Sequence, residues 1–325
     1  MAWADLKLKF KIPLLIVGFA LIGMIAVAGA SALQARATLA SLGLERLEAS
    51  ASARAGELQR YLAGIEADLR SMAGDPATSE AIEAFDAAFQ ALAASGDVTA
   101  ALKRTYITDN PNPLGEKHRL DAGPDGTAYD QVHARYHPWV RTVLESKGYY
   151  DIFFFNTEGD LIYSVFKEED FATNFAAGGG QWAASDLGRA FRAGLNAGRG
   201  EISFFDFAPY APSYGAPASF ISMPIDRNGE RIGVIAFQMP IDAINAIMSE
   251  ASGMGATGEA LLVGGDHLLR NDSRLTNDND ILSARLDLDL ADAAVERGRS
   301  GSVGRTAFGD RTVAAAVSPV EFHDV

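Results

Sequence analysis

Two histidines raise the first chemical possibility. His133 and His137 lie four residues apart, so a helix would carry both rings on one face. That spacing can begin a metal site. It goes no further, because no Glu between them completes H-E-x-x-H and no third ligand is evident; His118, His267 and His323 are scattered. The chain has no Cys, which removes disulfides, thiolate metal ligands and Cys nucleophiles. No G-x-S-x-G elbow marks a Ser nucleophile. The expectation is no catalytic constellation, no metal and no cofactor, hence not an enzyme.

A glycine motif fails on its context. Gly253-Met254-Gly255-Ala256-Thr257-Gly258 spells G-x-G-x-x-G. A dinucleotide fingerprint needs a strand before it and a helix after it, so that the helix N-terminus holds the pyrophosphate. Here a helical pattern precedes and a strand pattern follows. The glycines are read instead as the turn from helix into strand. No Walker A sequence is present. The net charge of −14 argues against a phosphate backbone as partner, since that needs a basic surface.

The aromatic residues are more informative. Eighteen of the 30 Phe, Tyr and Trp residues fall between Tyr149 and Phe237. Asp151, Lys167, Asp170, Asp206 and Ser222 are interleaved with them. An aromatic wall with a few placed polar groups is how small-molecule sites are built; the same aromatics would also serve a large core. In Asp206-Phe207-Ala208-Pro209-Tyr210 a carboxylate follows a strand in a segment that Pro stiffens. It could receive a ligand ammonium or another donor, or simply start a turn before Pro.

The positioning elements follow from periodicity. Ile12 to Ala35 holds 24 residues without a charge, and roughly 20 apolar residues cross a bilayer core as a helix. Lys7, Lys9 and Lys11 precede the run, and Arg36 alone follows closely. The positive-inside rule places residues 1–11 in the cytoplasm and the bulk of the chain outside. A cleaved signal peptide is the alternative, with small-residue sites at Ala28-Gly29-Ala30 and Ala30-Ser31-Ala32, but its apolar region is usually about 7–15 residues. Leu58, Leu62, Ile65, Leu69 and Met72 then form a heptad seam. One long helix is expected to about Met72, stopping at Gly74-Asp75-Pro76. Residues 77–104 read as a second helix, 107–128 as a loop and Tyr129–Lys147 as helix.

From Tyr149 the period changes to short β-rich runs. Tyr149–Asn156, Leu161–Phe166, Ser203–Phe207, Ser219–Ile225 and Arg231–Met239 are expected strands, with Asn228-Gly229 as a hairpin turn. A helix is expected around Asp186–Leu195. The pattern predicts an α+β layer with helices on one face of the sheet. Ile241–Ser252 is a connecting helix. A shorter strand-turn-strand phrase recurs at Glu259–Val263 and His267–Asn271, with further strands at Val303–Phe308 and Thr312–Val317. This predicts two tandem PAS-like antiparallel-sheet modules, the second incomplete.

These features resemble the double-Cache sensors of methyl-accepting chemotaxis proteins. The resemblance is carried by Tyr150-Asp151-Ile152-Phe153-Phe154-Phe155, Tyr163-Ser164-Val165-Phe166-Lys167-Glu168, Gly233-Val234-Ile235-Ala236-Phe237-Gln238-Met239 and Thr257-Gly258-Glu259-Ala260-Leu261-Leu262-Val263. It implies a dimeric receptor in the bacterial inner membrane: an N-terminal span at 12–35, a stalk and second helix at 36–104, a membrane-distal ligand module at 105–240 and a truncated proximal module at 241–325. It implies a small-molecule ligand, an amino acid, organic acid or amine, and a cytoplasmic kinase or adaptor reached through a C-terminal region, with no nucleic acid. Amino-acid binders of the family carry a Tyr/Arg/Trp/Tyr group before the sheet and an Asp after the third strand. Arg135, Tyr136 and Trp139, with Tyr129, are offered at a different spacing, and Asp206 sits where the Asp would. The expected ligand residues are therefore Arg135, Tyr136, Trp139, Asp151, Tyr163, Lys167, Asp170, Asp206 and Tyr210. The sensor half of a membrane histidine kinase or cyclase is the alternative, and an exported, membrane-anchored enzyme the second.

Overall fold

The computed structural model describes residues 7–250, 254–276, 279–286, 300–308 and 311–323. The chain divides into two compact units, one of Met1–Ala53 with Leu288–Pro319 and the other of Arg54–Asp287 with Val320–Val325. Helix α1 runs over Leu8–Gly74 and contributes to both.

In the first unit, α1 carries the charge-free stretch, and it is long and apolar enough to cross a membrane. Its side chains are uncovered; Phe19 and Ile25 are 72 % and 70 % exposed. Strands β6 (Gly301–Phe308) and β7 (Arg311–Val317) pair antiparallel as a two-stranded sheet. The Ser302 hydroxyl donates to Glu48 on α1 at 2.5 Å.

In the second unit the heptad seam becomes core. Leu58, Leu62, Ile65, Leu69 and Met72 are all buried. Asp75 stops α1 and caps the next helix, accepting from the Ala77 amide at 2.9 Å with Pro76 at the first helical position. Helix α2 (Pro76–Ala93) buries Ile82, Phe85 and Phe89. The single helix expected over 77–104 is broken. Asp97 caps a separate α3 (Val98–Lys103), which passes into a π turn at Arg104–Thr108. Helix α4 (Ala128–Lys147) starts with a capping box between Thr127 and Asp130 and ends at Gly148, whose φ of 74° only glycine adopts freely.

The sheet holds β1 (Asp151–Phe155), β2 (Leu161–Ser164), β3 (Ser203–Tyr210), β4 (Ala216–Arg227) and β5 (Glu230–Gln238) in the order β2-β1-β5-β4-β3, every pair antiparallel. Asn228 and Gly229, at φ 54° and 88°, make the hairpin turn between β4 and β5. The expected one-sided layer is corrected here. One face, with Ile152, Phe154, Tyr163, Ile235 and Phe237, packs on α1, α2 and α4. The other, with Phe153, Phe155, Phe220, Val234 and Ala236, packs on Leu187, Ala190 and Phe191 of α5 (Asp186–Asn196). Burial on both faces explains why β1 is uninterrupted Phe after Ile152 instead of alternating. Gly194 lets α5 lie this close, since a Cβ there would stand 2.9 Å from Val234 Cγ1.

Helix α6 (Ile241–Ser249) follows β5. Arg54, buried on α1, donates to the Ile247 and Glu250 carbonyls at 3.0 and 2.7 Å and so closes the C-terminal end of α6. Beyond it, Val263 and Leu269 form a single antiparallel bridge around a turn at Gly264–His267. The shorter phrase of the second β-rich region is thus one bridged pair rather than two full strands. Gly253 of the glycine motif lies outside the described residues; Met254–Thr257 is a turn.

Candidate functional site

The segment leaving β2 builds the site. Asp151, at the start of β1, is fully buried and its carboxylate organises that segment. Oδ1 accepts from the amides of Ile152, Val165 and Phe166 at 2.7, 2.9 and 3.1 Å, and Oδ2 from the Ser164 hydroxyl at 2.9 Å. The chain then turns through Lys167 at φ 59° and Ala172 at φ 60°. Non-glycine residues in this region cost on the order of 1 kcal/mol each, and they persist where surrounding contacts fix them.

Those contacts are visible. Lys167 is 2 % exposed. Its ammonium donates to the Ser164 and Val165 carbonyls at 2.9 and 3.2 Å. It lies 5.1, 5.6 and 5.8 Å from the ring centres of Tyr163, Tyr106 and Phe171. Glu168 accepts from the Tyr150 hydroxyl at 2.8 Å and the Ser213 hydroxyl at 2.6 Å. Asp170 accepts from the Tyr210 hydroxyl at 2.6 Å through Oδ2, while its Oδ1 is buried and has no hydrogen-bond partner among the described residues. Gln238 Oε1 is in the same condition. Gln238 is opposite Asp151 on one side and Phe220 on the other in the sheet register, so the three side chains share the α5 face.

Burial dominates the electrostatics. It raises Asp170 to about 7, against the bond from Tyr210. Burial and then the neighbouring Asp170 push Asp151 up, and burial pulls Lys167 down despite Asp151. Burial also raises Glu168.

A cavity of about 230 Å³ opens on this face. Trp182, Tyr210 and Phe220 form its aromatic wall, and Asp186, Pro209 and Pro212 its rim. Trp182 is fixed from the same segment, its Nε1 donating to the Glu169 carbonyl at 3.3 Å.

Five of the nine expected ligand residues therefore gather around the turn: Asp151, Tyr163, Lys167, Asp170 and Tyr210. Tyr163 faces the opposite side of the sheet, where its hydroxyl meets His137 Nδ1 at 2.7 Å. Arg135, Tyr136 and Trp139 are on α4, packed on that opposite face; Arg135 lies over the Tyr136 ring at 4.9 Å. They do not line the cavity, and neither do Asp151, Tyr163, Lys167 or Asp170; of the expected residues Tyr210 lines it. Asp206 is not in a loop, since β3 continues to Tyr210 with a bulge between Phe205 and Ala208. Its carboxylate is taken by Arg270. His133 and His137 do share a face, stacked at 4.2 Å, but they serve the fold. Their nitrogens meet the Asp121 and His118 carbonyls at 2.7 and 2.6 Å, which ties residues 118–121 to α4. Trp182 and Phe220, which line the cavity, are not among the expected residues; neither stands out from the other aromatics by its neighbours in sequence.

No protein-family model matches the chain. It is 24 % identical over 303 residues to a protein of Sinorhizobium fredii (strain NBRC 101917 / NGR234) named "Probable chemoreceptor y4sI", covering 91 % of this chain and 37 % of that one. The chain is thus similar in sequence to a chemoreceptor. It spans little over a third of that chemoreceptor's length. Its fold matches a solved structure of "Methyl-accepting Chemotaxis protein X" with a TM-score of 0.51 at 14 % identity, over 89 % of this chain and 95 % of that one. The ligand-binding domain of the Pseudomonas fluorescens chemoreceptor CtaA, in complex with L-serine, aligns with a TM-score of 0.42 at 13 % identity, over 82 % of this chain and 86 % of that one. The antiparallel-sheet domain resembles that solved chemotaxis protein in fold.

Proposed function

We propose that this chain is the sensing portion of a transmembrane chemoreceptor whose small-molecule ligand occupies the cavity on the α5 face of the sheet. The observation that carries this reading is the cavity itself. Trp182, Tyr210 and Phe220 give it an aromatic wall, and the Tyr210 hydroxyl donates to buried Asp170 at 2.6 Å. Residues 12–35 span the bacterial inner membrane with 1–11 in the cytoplasm. Residues 36–104 form the stalk and second helix, 105–240 the ligand module and 241–325 the membrane-proximal module. The working receptor is a homodimer, and regions beyond this sequence engage a cytoplasmic kinase or adaptor. Ligand shifts an equilibrium between two arrangements of α1, by no more than its differential affinity for the two. The role is binding, not catalysis.

The test is thermal unfolding of the full chain in detergent against amino acids, organic acids and amines. A ligand at about 100 times its Kd stabilises the fold by about 2.7 kcal/mol. One compound class should raise Tm in a saturable way, and Trp182→Ala should remove the shift while leaving the free protein cooperatively folded. A shift that survives Trp182→Ala puts the ligand elsewhere.

A further inference from the structure

We infer that Glu168, Glu169 and Asp170 are positioning residues of the cavity: this tripeptide holds the cavity wall together and ties it to α3. The inference rests on the reading of the cavity as the ligand site. None of the three lines the cavity, yet each holds a different part of it. Glu168 accepts from the Ser213 hydroxyl at 2.6 Å. Ser213 ends the short 3-10 turn Ala211–Ser213, whose Ala211 and Pro212 lie on the rim. The Glu169 carbonyl accepts from Trp182 Nε1 at 3.3 Å. Asp170 accepts from the Tyr210 hydroxyl at 2.6 Å. Trp182 and Tyr210 belong to the aromatic wall, and they come from the loop before α5 and from the end of β3. One tripeptide thus joins wall residues that are remote from each other in sequence.

The same segment is bound to α3. Lys103 donates to the Glu169 carbonyl that also receives Trp182, and the Thr99 hydroxyl donates to the Ala172 carbonyl at 2.6 Å. Four residues apart, the two donors share one face of α3. The ends of the segment are fixed on the sheet side. Asp151 holds its entry through the Val165 and Phe166 amides, and the Leu161 amide holds its exit by donating to the Thr173 carbonyl at 2.9 Å. Near those ends stand Lys167 and Ala172, at φ 59° and 60°; strained residues of this kind concentrate at ligand clamps and switch regions. Helix α3 runs directly into the π turn Arg104–Thr108, a helical form frequent at functional sites. Tyr106 in that turn donates to Asp130 on α4 at 2.7 Å. A shift of Trp182 or Tyr210 on ligand entry therefore reaches the helices on the opposite face of the sheet through the tripeptide and α3, and by reciprocity a change at α3 alters the wall.

The experiment needs no ligand. In the full chain in detergent, Trp3→Phe with Trp139→Phe leaves Trp182 as the reporter, and acrylamide quenching reads its exposure. Thr99→Val and Lys103→Met, both on α3, should each raise the Trp182 quenching constant. Thr142→Val, whose hydroxyl bonds its own helix at the Pro138 carbonyl, should leave it unchanged. In the other direction, amide exchange is read on α3. Tyr210→Phe and Ser213→Ala each delete one hydroxyl from the wall and should speed exchange in Val98–Lys103 about fivefold, as the loss of one hydrogen bond does, with α2 unchanged. Should Tyr210→Phe fold poorly, Ser213→Ala carries the test. Glu168→Gln, which keeps an acceptor for Ser213, should behave as the native protein, and Glu168→Leu should not. Equal acceleration in α2 and α3 means that the bonds only support the fold, and it overturns the inference. So does unchanged exchange in α3 with both wall variants, or unchanged quenching with both α3 variants. If a compound then raises Tm and Trp182→Ala abolishes its effect, the cavity reading stays and only the positioning role falls. If the links hold but Trp182→Ala leaves every compound's Tm shift intact, the cavity reading falls and the tie between the tripeptide and α3 stands.

Discussion

Asp206 and Arg270 form a two-point ion pair, with Asp206 Oδ2 2.7 Å from Nη2 and 3.1 Å from Nε. Arg270 also reaches Asp266 at 3.0 Å. Arg270 is nearly buried, with 6 % of its side chain exposed, against 26 % for Asp206. The pair therefore fastens the bulged part of β3 to the turn after Val263, over 64 residues of chain. Asp206→Ala should lower stability by about 2 kcal/mol, because it takes two charged hydrogen bonds from a nearly buried guanidinium and leaves it only Asp266 and the Leu268 carbonyl. It should leave the half-saturating concentration of a cavity ligand unchanged. Urea unfolding and a ligand titration on the same variant check both halves.

Tyr210 and Asp206 mark what was legible. The helices, the five strands and the hairpin at Asn228-Gly229 follow from period and turn chemistry. The run Asp151–Phe155 showed a buried strand, but nothing local told whether one face or both would be covered; that depended on α5, which reaches the sheet through Gly194. Of the polar residues expected amid the aromatics, Tyr210 lines the cavity, while Asp151, Lys167 and Asp170 are buried outside its lining. Asp206 was placed beside the ligand because its partner Arg270 is remote in sequence. Tertiary pairing of that kind has no local signature.

Gly194→Ala tests the close approach of α5. The added methyl would meet Val234 Cγ1 at 2.9 Å and Ser222 Oγ at 3.1 Å. Overpacking of this sort costs roughly 1–3 kcal/mol. Since Phe220 lies in the same layer as α5, the cavity should also bind its ligand less tightly. Tm and ligand titration should change together.

Two sets of buried groups give opposite pH slopes. Asp170 is raised from 3.8 unfolded to about 7 folded, so the folded state holds its proton over that window. Its contribution to stability is complete at acid pH and declines as pH rises from about 4 to 7. Asp170→Asn should remove that slope, so the variant gains on the native protein up to about pH 7 and then runs parallel.

His133 and His137 act in the other direction. Burial, with Lys167 next, holds both well below the usual histidine range. The unfolded chain then takes up their protons first, near 6.5, and stability falls as pH drops below that value, by up to about 1.4 kcal/mol per pH unit per proton. His137→Gln, which can still donate to the His118 carbonyl, should flatten this acid limb. Denaturant midpoints between pH 4 and 8 separate the two effects.

Arg54 tests the end of α6. Arg54→Ala frees the Ile247 and Glu250 carbonyls. The cost should be about 2 kcal/mol, given a charged donor in a part-buried setting. Amide exchange should rise in Ile241–Ser249 before it rises in β5, as a local opening does. Uniform acceleration across both elements would mean that Arg54 supports the whole core.

The central claim is that ligand enters beside Trp182. The chain has three Trp residues, Trp3, Trp139 and Trp182, so Trp3→Phe with Trp139→Phe leaves a reporter in the cavity wall. Its emission should change saturably with the compound that raises Tm, at the same half-saturating concentration. A compound that stabilises the fold while Trp182 emission stays constant would contradict the account.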